Sequence, residues 1–193
     1  MSLPRFVLVT GNADKLAEAR RLWPGELEHA AIDLPEIQSL DLAEVLQAKA
    51  DEAWRRLQRP LVVEETGLEL AALSGFPGPL VKWMLEAVGA TGIARTALSL
   101  GDPRATARCR LLYCNGSERI AAEGATHGVL VREPRGTGGF GWDPVFLPNG
   151  ESLTYGELPA ERKDAIGHRG QAWRALRRAM GGGTDLGLDA ESR

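Results

Sequence analysis

The 193-residue chain predicts an α/β fold built on a mixed sheet, and three features lead there. Short apolar runs of strand length alternate with amphipathic helical stretches in the first third. A long alternating hairpin then breaks that rhythm. A glycine-rich loop carrying two aromatics and a carboxylate precedes the last helix.

Phe6-Val7-Leu8-Val9 is a continuous apolar run, suited to a strand buried on both faces. Thr10-Gly11-Asn12 turns the chain into a helix that Asn12 can cap, with Leu16, Ala19, Leu22 and Trp23 along one side. Pro24-Gly25 stops it. A second helix is expected from Asp41 to Leu57. Asp41 and Glu44 there resemble a capping box, and Leu42, Val45, Leu46, Ala50, Ala53, Trp54 and Leu57 form the stripe. Leu61-Val62-Val63 is the next strand, and Glu64-Glu65-Thr66-Gly67 reads as the turn at its end. Gly75 to Pro79 is a rigid loop leading into a helix from Leu80 to Val88, with Lys82 in its first turn.

Arg104 to Cys114 alternates, with Ala107, Cys109, Leu111 and Tyr113 on one face and Thr106, Arg108 and Arg110 on the other. Asn115-Gly116 signals a hairpin, and the return strand covers Arg119 to Val131. An antiparallel pair inside an α/β chain implies a mixed sheet or a second lobe. Ala172, Trp173, Leu176 and Ala179 mark a last helix that Gly181-Gly182-Gly183 ends.

Composition narrows the function. A net charge of −3 without a long basic run disfavours duplex nucleic acid as a partner, because that affinity rests on phosphate neutralisation. No segment approaches the roughly 18 apolar residues of a membrane span, and the N-terminus lacks a signal-peptide apolar core, so a cytoplasmic location without membrane partner is expected. Cys109 and Cys114 lie five apart, facing opposite sides of a strand, which reads as two reduced core cysteines.

Four clusters carry chemistry. Thr10-Gly11-Asn12 with Lys15 offers backbone N–H groups, a positive helix end and an ammonium to a phosphate, although it is not a Walker loop. Glu64-Glu65-Thr66 offers carboxylates to a hard cation or to a water proton. Phe140-Gly141-Trp142-Asp143 offers aromatic walls and an acceptor. Lys163 with His168-Arg169 offers donors. Taken singly, the turn reads more readily as a plain cap, and the glutamates, Lys163 and Arg169 as solvated surface charges.

In order and spacing the clusters resemble the inosine triphosphate pyrophosphatase family. The residues that carry the resemblance are Val9 to Leu16, Ile32-Asp33-Leu34-Pro35-Glu36, Glu64 to Leu68, Gly75 to Trp83, Gly139 to Pro144, and Lys163 with His168-Arg169-Gly170. The Pro-Gly-Pro-Leu-Val-Lys-Trp and Phe-Gly-Trp-Asp forms look closer to the family's eukaryotic-type branch. The resemblance implies an elongated mixed sheet flanked by helices in two lobes with the active-site cleft between them. Residues 1–180 would form that single domain, and 181–193 a mobile tail.

It implies hydrolysis of ITP, dITP and XTP to the monophosphate and pyrophosphate by water attack on the α-phosphate, with Mg²⁺. It places metal ligands at Glu36 and Glu65 and the base at Glu65, with Glu64 as the other candidate. It places the triphosphate on Thr10, Gly11, Asn12, Lys15, Lys49, Thr66 and Lys82. The nucleobase goes to Phe140, Gly141, Trp142, Asp143, Lys163, His168 and Arg169. It also implies a homodimer. Two departures stand out: Glu65 replaces the family's usual Asp, and Gly167 replaces its usual Ser. Two alternatives remain open: the same scaffold with a modified-pyrimidine or broad preference, and a non-catalytic nucleotide binder.

Overall fold

A computed structural model describes residues 4–181; the proposed tail from 182 onward lies outside the described residues. The chain opens with β1 (Val7–Val9), α1 (Ala13–Leu22), β2 (Glu28–Ala30), α2 (Leu42–Leu57) and β3 (Leu61–Leu70). A short β4 (Pro77–Gly78) and α3 (Val81–Ser99) follow. The hairpin is β5 (Arg104–Cys114) and β6 (Arg119–Leu130), and β7 (Phe146–Pro148), α4 (Ala160–Ile166) and α5 (His168–Ala179) complete the order.

Seven strands form one mixed sheet in the order β2-β1-β3-β5-β6-β7, with β4 paired to β3. β1 runs parallel to both β2 and β3, and every later pairing is antiparallel. The α/β expectation holds, and the hairpin belongs to the main sheet.

Three apolar clusters hold helices to this sheet. On one face Phe6, Leu8, Val62, Cys109 and Leu111 pack against Ala19 of α1, Trp23 just past its end, and Trp173 and Leu176 of α5. On the other, Val7, Val9, Leu61, Val63, Leu112 and Cys114 pack against Leu46, Ala50 and Ala53 of α2. The two reduced cysteines thus point to opposite faces, as their spacing requires. The far end of β3 packs Leu68 and Leu70 against Val81, Ile93 and Ala94 of α3 and against Phe146 and Tyr155. Among the described residues no helix is long and apolar enough to cross a membrane.

Several local expectations change. The Glu64-Glu65-Thr66-Gly67 stretch is not a strand-end turn; it lies in the middle of the ten-residue β3, where Glu64 faces Leu111 and Glu65 faces Arg110 in register. What ends there is the neighbour: β1 pairs only as far as Val9 with Val63, and β4 does not begin pairing until Leu68. An edge of β3 is left open between them, and that gap becomes the site. The expected 80–88 helix extends to Ser99 across a kink at Gly89, whose φ of 69° no helix accommodates.

Asp41 does cap α2, accepting from the Ala43 N–H at 2.7 Å. No reciprocal capping box forms: Ser39 Oγ receives the Asp41 N–H and donates to Glu44 instead. The hairpin keeps its expected strands, with Cys114 paired to Arg119, and Asn115 Oδ1 closes the loop at 115–118 by accepting the N–H groups of both Ser117 and Glu118.

Candidate active site

The open edge of β3 faces a cavity of about 560 Å³. The end of it at β1 and α1 follows from local chain chemistry. β1 stops at Val9, Thr10 Oγ1 accepts the Asn12 N–H at 3.1 Å, and Asn12 Oδ1 accepts the Lys15 N–H at 2.9 Å. The turn is thereby fixed, with the N-terminus of α1 and the Lys15 ammonium toward the cavity. His29 on β2 reaches the Thr10 carbonyl at 2.8 Å, a tie that the sequence reading did not foresee.

The floor consists of Glu64, Glu65 and Thr66 of β3. Adjacent strand residues point to opposite faces, so the two glutamates have different neighbours. Glu65 lies on the α2 side and bonds the Lys49 ammonium. Lys49 also bonds Glu36 Oε1 at 2.7 Å, so one ammonium joins the two carboxylates expected to hold metal. Burial lowers the Lys49 pKa, but Glu65 and Glu36 outweigh it and hold the ammonium above its ordinary value. Lys82, exposed in the first turn of α3, stands 3.9 Å from Glu36 Oε2. Glu64 lies on the α1/α5 side, with Arg169 Nε at 3.0 Å and Lys15 Nζ at 3.6 Å.

Among the described residues no group of three or more His, Cys, Asp or Glu side chains gathers as a metal cage. Two carboxylates remain, and Mg²⁺ commonly takes one or two plus substrate phosphates and waters.

Phe140, Gly141 and Trp142 also line the cavity. The expected base readers are placed behind them. Lys163 borders a second cavity of about 230 Å³, and Phe140 lines both. The Phe140 ring covers the Lys163 ammonium at 5.1 Å and the Arg169 guanidinium at 5.3 Å. Asp143 lines neither cavity: it accepts the Phe140 N–H at 2.7 Å and Lys163 Nζ at 2.6 Å, tying the aromatic loop to α4. Burial pushes the Asp143 carboxyl up, against the pull of Lys163.

His168 also lines neither cavity. It is buried beneath Arg169 and stacked on Tyr155, and its Nδ1 has no partner among the described residues. Burial, then Arg169 and Lys163, hold its pKa well below the ordinary value, so the ring is neutral.

Glu18 is the site residue that the sequence reading missed. It accepts from Lys163 Nζ at 2.7 Å and from Arg169 Nη1. Burial raises its pKa, but Arg169 and Lys163 prevail and hold it below the ordinary carboxylate value. A signal existed: Glu18 follows Lys15 by one helical turn and shares its side of α1. Lys15, Glu64, Arg169, Glu18, Lys163 and Asp143 therefore form one chain of alternating charge from the α1 turn to the aromatic loop.

Gly167, where the resemblance leads one to expect Ser, joins α4 to α5 and donates its N–H to the Lys163 carbonyl at 2.7 Å. A Cβ at this position would sit 2.5 Å from that same carbonyl oxygen.

Fold and site together define an α/β protein whose cleft sets lysines beside paired carboxylates. The chain belongs to the Ham1 family, whose model matches residues 6–179. It is 38% identical over 188 residues to an inosine triphosphate pyrophosphatase of Puccinia graminis f. sp. tritici, covering 92% of this chain and 97% of that one. It is 40% identical over 177 residues to inosine triphosphate pyrophosphatase 2 of Trypanosoma cruzi, covering 90% of each. Among solved structures, a HAM1 protein from Coxiella burnetii superposes with a TM-score of 0.79 at 26% identity, over 93% of this chain and all of that one. A dITP/XTP pyrophosphatase from Mycobacterium abscessus superposes with a TM-score of 0.68 at 29% identity, over 88% of this chain and 97% of that one.

Proposed function

We propose that this protein hydrolyses non-standard purine nucleoside triphosphates (ITP, dITP and XTP) to the nucleoside monophosphate and pyrophosphate, removing them from the nucleotide pool. One observation carries the reading: a single charge network joins a phosphate-suited helix end, a carboxylate floor and buried cationic donors behind an aromatic loop. The names of the relatives in Puccinia graminis, Trypanosoma cruzi and Mycobacterium abscessus support it.

In this reading Thr10, Gly11, Asn12 and Lys15 take the triphosphate at the end of α1, with Lys49, Lys82 and Thr66 beside it. Glu36 and Glu65 suit a divalent metal, because both already reach one cation, the Lys49 ammonium. Mg²⁺ held there would offset phosphate charge and orient the substrate. Glu65, on the metal-holding side of β3, takes the proton of the attacking water. Glu64 holds Lys15 and Arg169 in place and leaves proton transfer to its neighbour.

Phe140 and Trp142 wall the purine, and Gly141 lets the loop approach it. Lys163 and Arg169 donate to a 6-oxo group, while Asp143 and His168 fix the ground beneath them. Adenine would set its 6-amino group against those cations and leave the N–H groups not already held by Glu18, Glu64 and Asp143 unmatched, which is how such a site rejects a base. The same reading takes the protein to be a cytoplasmic homodimer, consistent with Phe76 and Trp83 at 44% and 54% exposure.

The test supplies ITP, dITP, XTP and the standard triphosphates with Mg²⁺ and separates pyrophosphate from phosphate. Pyrophosphate release with preference for the 6-oxo purines is expected. Equal turnover of ATP, or release of single phosphate, contradicts the reading. Binding that stabilises the fold without any turnover would favour the non-catalytic alternative.

A further inference from the structure

The Lys49 ammonium lies between Glu36 and Glu65, the pair that the proposed function assigns to metal. Lys49 leaves the buried side of α2, one residue before the core residue Ala50, and its side chain is 10% exposed. Its position is therefore set by the fold of α2 against the sheet. Lys82 adds a second ammonium on the far side of Glu36, and Lys15 a third beside Glu64. Lys15, Lys49 and Lys82 line the cavity together with Glu36, Glu64, Glu65 and Asp33, so cations already stand among its acidic residues.

We infer that Lys49 is a resident counter-cation for the Glu36–Glu65 pair, so that a divalent metal enters the cleft with the nucleotide and not ahead of it. The inference rests on the reading of that pair as the metal-holding one. A divalent ion arriving alone must break both Lys49 contacts and then stand beside the displaced ammonium, with two more lysines close by. A triphosphate changes that balance. It gives the Lys49 ammonium anionic oxygens of its own, toward which the flexible four-carbon stem swings, and it frees both carboxylates. Metal and nucleotide then favour each other's binding, and that coupling is reciprocal. The device also keeps the cleft free of metal when no substrate is present.

Mn²⁺ binding, read from the loss of the free-ion paramagnetic resonance signal, tests this on the full chain. Without nucleotide, Lys49→Met, similar in length but uncharged, is expected to bind Mn²⁺ at least tenfold more tightly than the unaltered protein. Lys49→Arg, which keeps the cation, is expected to stay as weak as the unaltered protein. A non-hydrolysable ITP analogue is expected to tighten Mn²⁺ binding to the unaltered protein at least tenfold, after subtraction of the Mn²⁺ that the same analogue holds without protein. That comparison needs no variant and stands even where Lys49→Met folds poorly. In a thermal melt, Mn²⁺ alone is expected to raise the Tm of Lys49→Met and to leave that of the unaltered protein in place.

Tight Mn²⁺ binding by the unaltered protein alone, equal to that of Lys49→Met, overturns the inference while leaving the proposed hydrolysis intact. No Mn²⁺ binding in any form, with or without the analogue, overturns the carboxylate pair as a metal site as well.

Discussion

At the scale of single residues, Glu64 and Glu65 show how much chemistry one position along a strand decides. They are identical in type and adjacent in sequence, yet β3 turns Glu65 toward Lys49 and Glu36 and Glu64 toward Arg169 and Lys15. Glu65→Gln keeps the shape and removes the base, so a fall in kcat on the order of 10²–10⁴-fold is expected, with nucleotide affinity retained, measured by steady-state kinetics and calorimetry. Full turnover by that variant refutes the role. Glu18 is held by two buried cations, so Glu18→Ala leaves Lys163 and Arg169 without their shared acceptor. Breaking such a buried pairing costs about 3–5 kcal/mol, measurable by urea unfolding. The residues of the candidate cavity were legible from sequence because the chemistry expected of phosphate, metal and base ligands restricts the side chains that could serve. Glu18 was not, because a lone glutamate in an amphipathic helix reads as a solvated charge until Lys163 and Arg169 fold onto it from the far end of the chain.

Among the elements, β3 is decisive. Its first three residues read as a short strand because they are apolar, and the glutamates looked like its end. The strand continues because β5 pairs with it along its whole length, a long-range contact that local pattern does not reveal. β4 then crosses so close to Gly67 that an added Cβ would meet the Gly78 carbonyl carbon at 2.9 Å. Gly67→Ala is therefore expected to destabilise the fold by about 1–3 kcal/mol, since backbone on both sides leaves little room to yield. Urea unfolding at fixed pH checks this, and an unchanged midpoint contradicts the close crossing. The helix caps and the apolar stripes of α1 and α2 were legible, since they depend on neighbours three and four residues away. The hairpin loop at 115–118 was legible too, since Asn115 and Gly116 mark it locally, whereas the kink at Gly89 was not, since it follows from how the flanking elements pack.

For the molecule as a whole, the buried charge network ties stability to pH. The folded state holds His168 well below its ordinary value of 6.5, because burial and the cations Arg169, Lys163 and Lys15 oppose its protonation. The unfolded chain takes that proton first, so this stability is full above about pH 6.5 and is lost as pH falls from there toward the folded value. Glu18, also depressed, adds a loss below its ordinary value of 4.5, while Asp143, raised by burial, works in the opposite sense. Unfolding free energy is expected to be flat near pH 8 and to decline below about 6.5, and His168→Asn is expected to remove the first part of that decline. Urea titrations across that range read both. The α/β class and the order of the clusters were legible from sequence because they follow from local pattern and spacing. The burial of His168 behind Arg169 was not, because it depends on α5 closing over β6.

The reaction itself is tested most directly by running it in ¹⁸O-labelled water and weighing the products. Water attack at the α-phosphorus places the label in the inosine monophosphate and leaves the pyrophosphate unlabelled, which is the expected result. Label in the pyrophosphate, or in single phosphate, would contradict it.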